Sequence, residues 1–236
     1  MLTIGLIGGM SWESTQVYYR LINEYVRAQL GGLHSAKLVL YSVDFAEIEV
    51  LQHQGDWAAT SVILSTAAQA LERGGADCVV ICTNTMHKVA PDIEKAVSIP
   101  LLHIADATAK ALLADGITQV GLLGTRFTME QAFYRERLEA QGVEVIVPDE
   151  KQRDVVHSII YEELCMGVIK SESKAAYMDV VASLVGRGAQ GVILGCTEIG
   201  LLVQQADTAT KLYDTTEIHA AQAVRWALAD SMGATR

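Results

Sequence analysis

Two short polar turns hold the residues of this chain best suited to chemistry. The first follows a buried apolar run, Val79-Val80-Ile81-Cys82, and reads Thr83-Asn84-Thr85-Met86-His87-Lys88. The second follows Val192-Ile193-Leu194-Gly195 and reads Cys196-Thr197-Glu198. A cysteine between a buried strand and a helix start has backbone N–H groups and the positive end of the helix dipole beside it, and both lower a thiol pKa. Cys196 is therefore a candidate base near neutral pH. The competing role is a small buried hydrophobe, and it is the one expected of Cys78, on a strand, and Cys165, in an apolar helical stretch. Asn84 or Thr85 can also simply cap a helix. Cys82, His87 and Cys196 lack metal-ligand spacing, so no metal site is expected. No Gly-x-Ser-x-Gly elbow supports a serine triad.

The elements that must position these turns repeat. Thr3-Ile4-Gly5-Leu6-Ile7-Gly8-Gly9 precedes the first turn as Gln119-Val120-Gly121-Leu122-Leu123-Gly124-Thr125 precedes the second. Overlaying the copies puts Thr83 opposite Cys196. Continuous apolar runs predict strands over 3–7, 37–42, 78–82, 101–103, 119–123, 144–147 and 191–194, covered on both faces. Helical periodicity falls over 14–30, 55–74, 128–141, 174–188 and 216–229. The pattern predicts an α/β fold of two pseudo-symmetric domains, each a mostly parallel sheet flanked by helices. The first crossing falls in 98–106, and a last helix with Ile218, Ala221, Val224 and Leu228 returns to cover the first half. The expected domains are 1–99 plus 209–236, and 100–208. Both turns lie at strand carboxyl ends, where open α/β sheets bind ligands, so the active site is expected in the cleft between the domains.

Composition narrows the partners. The 236 residues are half apolar and carry a formal net charge of -10, which argues against nucleic acid. No run approaches the roughly 20 apolar residues that span a bilayer. The four cysteines show no framework spacing, so a reducing cytoplasm is expected. Positions 231–236 read as a frayed tail. Gly5-Leu6-Ile7-Gly8-Gly9 departs from the dinucleotide spacing and reads as a tight turn that lets backbone approach a small ligand. Arg126 either binds a carboxylate or pairs on the surface. Asp44, Glu47 and Glu49 read as a solvated face.

At these residues the chain resembles the aspartate/glutamate racemase family, the cofactor-independent amino-acid racemases. Val192 to Leu202 meets the family's second signature, Gly-Cys-Thr-Glu in an apolar frame, and Thr83-Asn84-Thr85-Met86-His87 resembles the first. The likeness continues through Gly8-Gly9-Met10-Ser11-Trp12-Glu13-Ser14-Thr15 and Gly124-Thr125-Arg126-Phe127-Thr128-Met129. It implies a two-domain fold, a homodimer, a small amino-acid substrate and no cofactor. Where typical members carry the first catalytic cysteine, this chain has Thr83, as in a subgroup with broad-specificity or L-aspartate/glutamate-specific members. Cys82 does not substitute, because one residue along a strand turns the side chain to the other face.

The implied reaction places Cys196 on one side of Cα and Thr83 on the other. Cys196 abstracts the proton, and Thr83 or a water returns one, so L-substrates are favoured. Asn84, Thr85 and Thr197 are expected to hold the substrate carboxylate, where charge accumulates. Met10 and Gln52 are the expected side-chain contacts, with core packing and surface exposure as their respective alternatives. Aspartate-selective members hold the side-chain carboxylate with an Arg in the first half and a Lys near Tyr161-Glu162-Glu163-Leu164; here Gln52 and Cys165 stand in those regions. Losing two charge-assisted bonds points to a polar neutral or variable side chain such as that of homoserine, with aspartate and glutamate still open. The rival functions are a hydantoin racemase, a maleate isomerase, or a non-catalytic amino-acid sensor.

Overall fold

A computed structural model describes residues 1–233, with side chains described through Ala229 at the C-terminal end. Of the expected tail, Ser231 to Gly233 continue the last helix, and 234–236 lie outside the described residues. The chain divides into two compact units, Met1–Ile104 with the stretch from His219 on, and Ala105–Ile218.

The first unit runs β1 (Ile4–Gly8), α1 (Trp12–Leu30), β2 (Leu38–Ser42), α2 (Phe45–Gln54), α3 (Trp57–Arg73), β3 (Cys78–Ile81), a 3-10 helix Thr85–Val89 and α4 (Ala90–Ala96). Helix α5 (Ile104–Ala114) carries the chain into the second unit. There follow β4 (Gln119–Gly124), α6 (Arg126–Glu130), α7 (Ala132–Glu139), β5 (Glu144–Ile146) and α8 (Glu150–Glu162). A 3-10 helix Leu164–Met166, α9 (Ser171–Gly186), β6 (Gly191–Gly195), α10 (Ile199–Leu202), a 3-10 helix Gln205–Asp207 and β7 (Lys211–Asp214) complete it. Helix α11 (Thr215–Gly233) returns to the first unit.

The sheets are ordered β2-β1-β3 and β5-β4-β6-β7, and every pairing is parallel. Each unit thus sets its first strand between its second and third. Register carries the likeness to single residues. Ile7 pairs with Ile81, which sets Gly8 beside Cys82, and Gly124 pairs with Gly195. Thr83 and Cys196 are the next residues along, so they hold equivalent positions in their own sheets.

Alternation along β3 splits the first core in two. Cys78, Val80 and Cys82 join Ile4 and Leu6 under α1 and α11, whereas Val79 and Ile81 join Ile7 under α3. Helix α11 buries Ala220, Ala223, Val224, Ala227 and Leu228, a stripe rotated from the expected one; Ile218 and Ala221 are only part-buried. In the second unit Leu123, Val192 and Leu194 pack against Val156 and Ile160 of α8 and Val180 and Leu184 of α9.

Several expectations are corrected. Strand β7 has only Leu212 and Tyr213 between charged ends, too short an apolar run to read, yet it pairs along β6. It draws 211–214 into the second unit, so the divisions fall at 104/105 and 218/219, where α5 and α11 cross. Residues 101–103 form no strand, only a bridge between Val79 and Leu101, on the side of β3 that matches β7's place beside β6. The expected helix over 128–141 breaks at Gln131, whose backbone is extended at φ -83 and ψ 145.

Candidate active site

The first turn is clamped by side chains that reach its backbone. Ser11 caps α1 by accepting from the Ser14 N–H at 3.2 Å, and the Ser14 hydroxyl donates to the Cys82 carbonyl at 2.9 Å. The Thr15 hydroxyl oxygen accepts from the Gly9 N–H and donates to the Ser11 carbonyl, both at 2.8 Å. Gly9 has φ +92, and a Cβ there would collide with the Val43 carbonyl oxygen. The close approach of Thr15 and Val43 therefore requires glycine at this position.

Cys82 points into the core, where burial pushes its thiol far up. Thr83 is part-buried, and Asn84 and Thr85 are buried. The capping role expected of Asn84 is not seen: it stands at the start of a 3-10 helix without a side-chain capping bond. His87 instead holds the turn, with Nδ1 2.8 Å from the Thr83 carbonyl oxygen and Nε2 3.2 Å from the Ile104 nitrogen.

The second turn carries a thiol–carboxylate pair. Cys196 Sγ donates to Glu198 Oε2 at 3.0 Å, and Glu198 is only 8% exposed. The Thr215 hydroxyl donates to the Leu194 carbonyl at 2.9 Å, fixing the strand end from α11. The expected lowering of the Cys196 pKa is reversed. Burial against the second unit's core and the adjoining Glu198 charge push the thiol well above its usual range. Helix α10, only four residues long, carries too little dipole to offset them. Gly200 in α10 leaves room for the Asp214 carboxylate, whose Oδ2 would lie 2.9 Å from a Cβ.

The remaining expected residues fall in two groups. In the first unit Met10 packs with Ile7, Ile48 and Leu64, its core alternative, and Gln52 is 3% exposed in the last turn of α2 rather than on the surface. In the second unit Thr197 is part-buried beside Cys196. Thr83, Asn84, Thr85, Met10 and Gln52 thus belong to one unit and Cys196 and Thr197 to the other. Arg126 is found in an exposed ion pair with Asp154 at 2.6 Å, the surface alternative. Asp44 caps α2 and Glu49 pairs with His53 at 2.9 Å, in keeping with a solvated face. Cys165, expected to be buried, is exposed in the 3-10 helix after α8, and its charge weighs on Cys196. Among the described residues, no three His, Cys, Asp or Glu side chains gather as metal ligands.

Two residues escaped the sequence reading. Glu198 stood two places after Cys196 in the quoted motif, and its i+2 spacing from a candidate base was the available signal. His87 closed the other motif, but no spacing announces a histidine that binds its own turn.

The family model for Asp/Glu/hydantoin racemases matches residues 7–223. The chain is 59% identical to a protein of Yersinia pestis assigned as an Asp/Glu racemase, covering 97% of this chain and 100% of that one, with a TM-score of 0.92. Against an aspartate racemase homologue from Pyrococcus horikoshii OT3 the identity is 37% over 96% of this chain and 99% of that one, with a TM-score of 0.85. The broad specificity amino-acid racemase RacX of Bacillus subtilis (strain 168) is 25% identical over 221 residues, 90% of this chain and 92% of its own.

Proposed function

The chain belongs to the Asp/Glu/hydantoin racemase family, an isomerase family, and from that premise we propose that it racemises a free amino acid by proton transfer at Cα between Cys196 and Thr83. The observation that carries this reading is the Cys196–Glu198 pair at the end of β6, matched by Thr83 at the equivalent position after β3.

The raised thiol pKa does not remove Cys196 as a base, because the pair shares one proton. Moving that proton from Sγ to Glu198 leaves the pair's total charge unchanged and removes the negative neighbour that opposes a thiolate. The thiolate then takes the Cα proton of an L-substrate. The bonding pair stays behind, spread into the substrate carboxylate as an enediolate, which needs donors at its oxygens. Asn84, Thr85 and Thr197 supply them. Thr83, or a water it orders, gives a proton to the opposite face, and that pair closes the new C–H bond. Water reprotonates Thr83, and the hydroxide so formed takes up the extra proton released by the Cys196–Glu198 pair, which restores the starting state. An alkanol is too weak an acid to wait as an alkoxide base, so the two directions use unequal partners. This chemistry asks for no cofactor.

For the substrate, Gln52 and Cys165 are neutral where two cations would hold a second carboxylate, which favours a polar neutral or variable side chain. The broad specificity described for RacX agrees with that choice; aspartate and glutamate stay in the test panel. Wild type, Cys196→Ala and Thr83→Cys are run over L-aspartate, L-glutamate and L-homoserine, following optical rotation. Turnover by wild type and its loss in Cys196→Ala are expected. Tight binding without any turnover would overturn the enzyme reading in favour of a sensor.

A further inference from the structure

Three buried histidines stand behind the Thr83 turn. The His87 ring lies 4.5 Å from that of His103 and 5.7 Å from that of His219, centroid to centroid. Their hydrogen bonds fix two of the tautomers. A backbone N–H can only donate, so His87 Nε2 accepts from Ile104, and Nδ1 carries the proton given to the Thr83 carbonyl. His219 runs the other way, donating from Nε2 to the Leu102 carbonyl at 2.6 Å and accepting at Nδ1 from the Tyr18 hydroxyl at 2.9 Å. Ile104 is the last residue before the chain leaves the first unit, and His219 the first on its return. Both crossings are thereby tied to the cluster that holds the Thr83 backbone.

We infer that His87 is a positioning residue for the Thr83 half of the reaction: its neutral imidazole is a strut between the Thr83 carbonyl and the Ile104 N–H, and it sets where Thr83 stands. This rests on the proposed racemase chemistry. Cys196 lies in the other unit with its thiol bonded to Glu198, and neither bond of the strut reaches it. A misplacement of about 1 Å costs a reacting group roughly 100-fold. The enediolate held by Asn84, Thr85 and Thr197 is common to both outcomes, so loss of the strut lowers delivery from the Thr83 side relative to return of the proton by Cys196.

The two bonds can be cut separately. In His87→Asn the amide nitrogen replaces Nδ1 and still donates to Thr83. In His87→Gln the amide reaches the Nε2 position, accepts from Ile104, and leaves Thr83 unheld. L-aspartate, L-glutamate and L-homoserine are incubated with each variant in deuterated water. Deuterium gained at Cα with retention reports Cys196 acting alone, and the deuterated D-product reports delivery from the Thr83 side. Their ratio comes from one sample, so it is independent of the folded fraction. The expected result is an inversion-to-retention ratio about 100-fold lower in His87→Gln, with at least about tenfold of it recovered in His87→Asn. A ratio unchanged in His87→Gln, or unrestored in His87→Asn, would overturn the inference. Absence of both reactions in wild type would overturn the proposed function, and this inference with it.

Discussion

Cys196 and Glu198 hold one proton between them across 3.0 Å, and most of the proposed chemistry follows from where that proton sits. The carboxylate has two opposed effects. Its charge raises the thiol pKa, and its oxygen is the acceptor that lets the thiolate form. Glu198→Gln separates them. Without the charge the thiol ionises at lower pH, so the alkylation rate of Cys196, measured in a Cys165→Ala background to silence the exposed thiol, should rise at lower pH than in wild type. Turnover should nonetheless fall, by about 10- to 100-fold, because the proton has lost its acceptor. An alkylation profile that stays put or moves up would show that Glu198 does not govern the thiol. Cys196→Ala should cost about 100-fold or more in α-hydrogen exchange from L-substrates, with no compensation from Cys82, whose thiol is buried on the far side of β3.

At the scale of elements, the turns are held by caps and struts with measurable consequences. Gly9→Ala puts a Cβ at φ +92 against the Val43 carbonyl; a loss of about 1–3 kcal/mol in denaturant unfolding is expected. His219 is fully buried, and burial pushes its pKa down to about 4 from 6.5. The unfolded chain binds that proton between the two values, so the stability owed to neutral His219 is complete above about 6.5 and lost as pH falls towards 4. The loss is on the order of 3 kcal/mol at about 1.4 kcal/mol per unit. Asp214, raised to about 6 by burial, pulls the opposite way over part of that range. The prediction is therefore for the difference between wild type and His219→Gln: the variant should lack the acid slope, and equal slopes would contradict the account. Periodicity reveals the covered strands because a run such as Cys78–Ile81 is apolar whatever it packs against. It does not reveal β7, whose strand character comes from pairing with β6, nor the break at Gln131. The thiol's raised pKa was equally hidden, since it depends on a side-chain contact that spacing alone does not fix.

For the whole molecule, the duplicated strand order β2-β1-β3 and β5-β4-β6 explains why the overlay of Thr83 on Cys196, drawn from apolar runs alone, holds in register. In the proposed reaction the two halves contribute unequal partners. Enantiomers have equal free energies, so kcat/KM for the two directions must agree whatever the mechanism. A preference for L-substrates therefore cannot show in that ratio, and it is read most cleanly where one group acts without the other, in exchange of the α-hydrogen with retention. Thr83→Cys should reduce the inequality by giving the first half a thiol of its own. The most direct test is α-hydrogen exchange with retention in deuterated water, measured by NMR on the L- and D-enantiomers of the best substrate in the panel. Exchange from the L-enantiomer should be at least about tenfold faster, reflecting a thiolate base on one side and an alkanol on the other. Equal rates from the two enantiomers would contradict it.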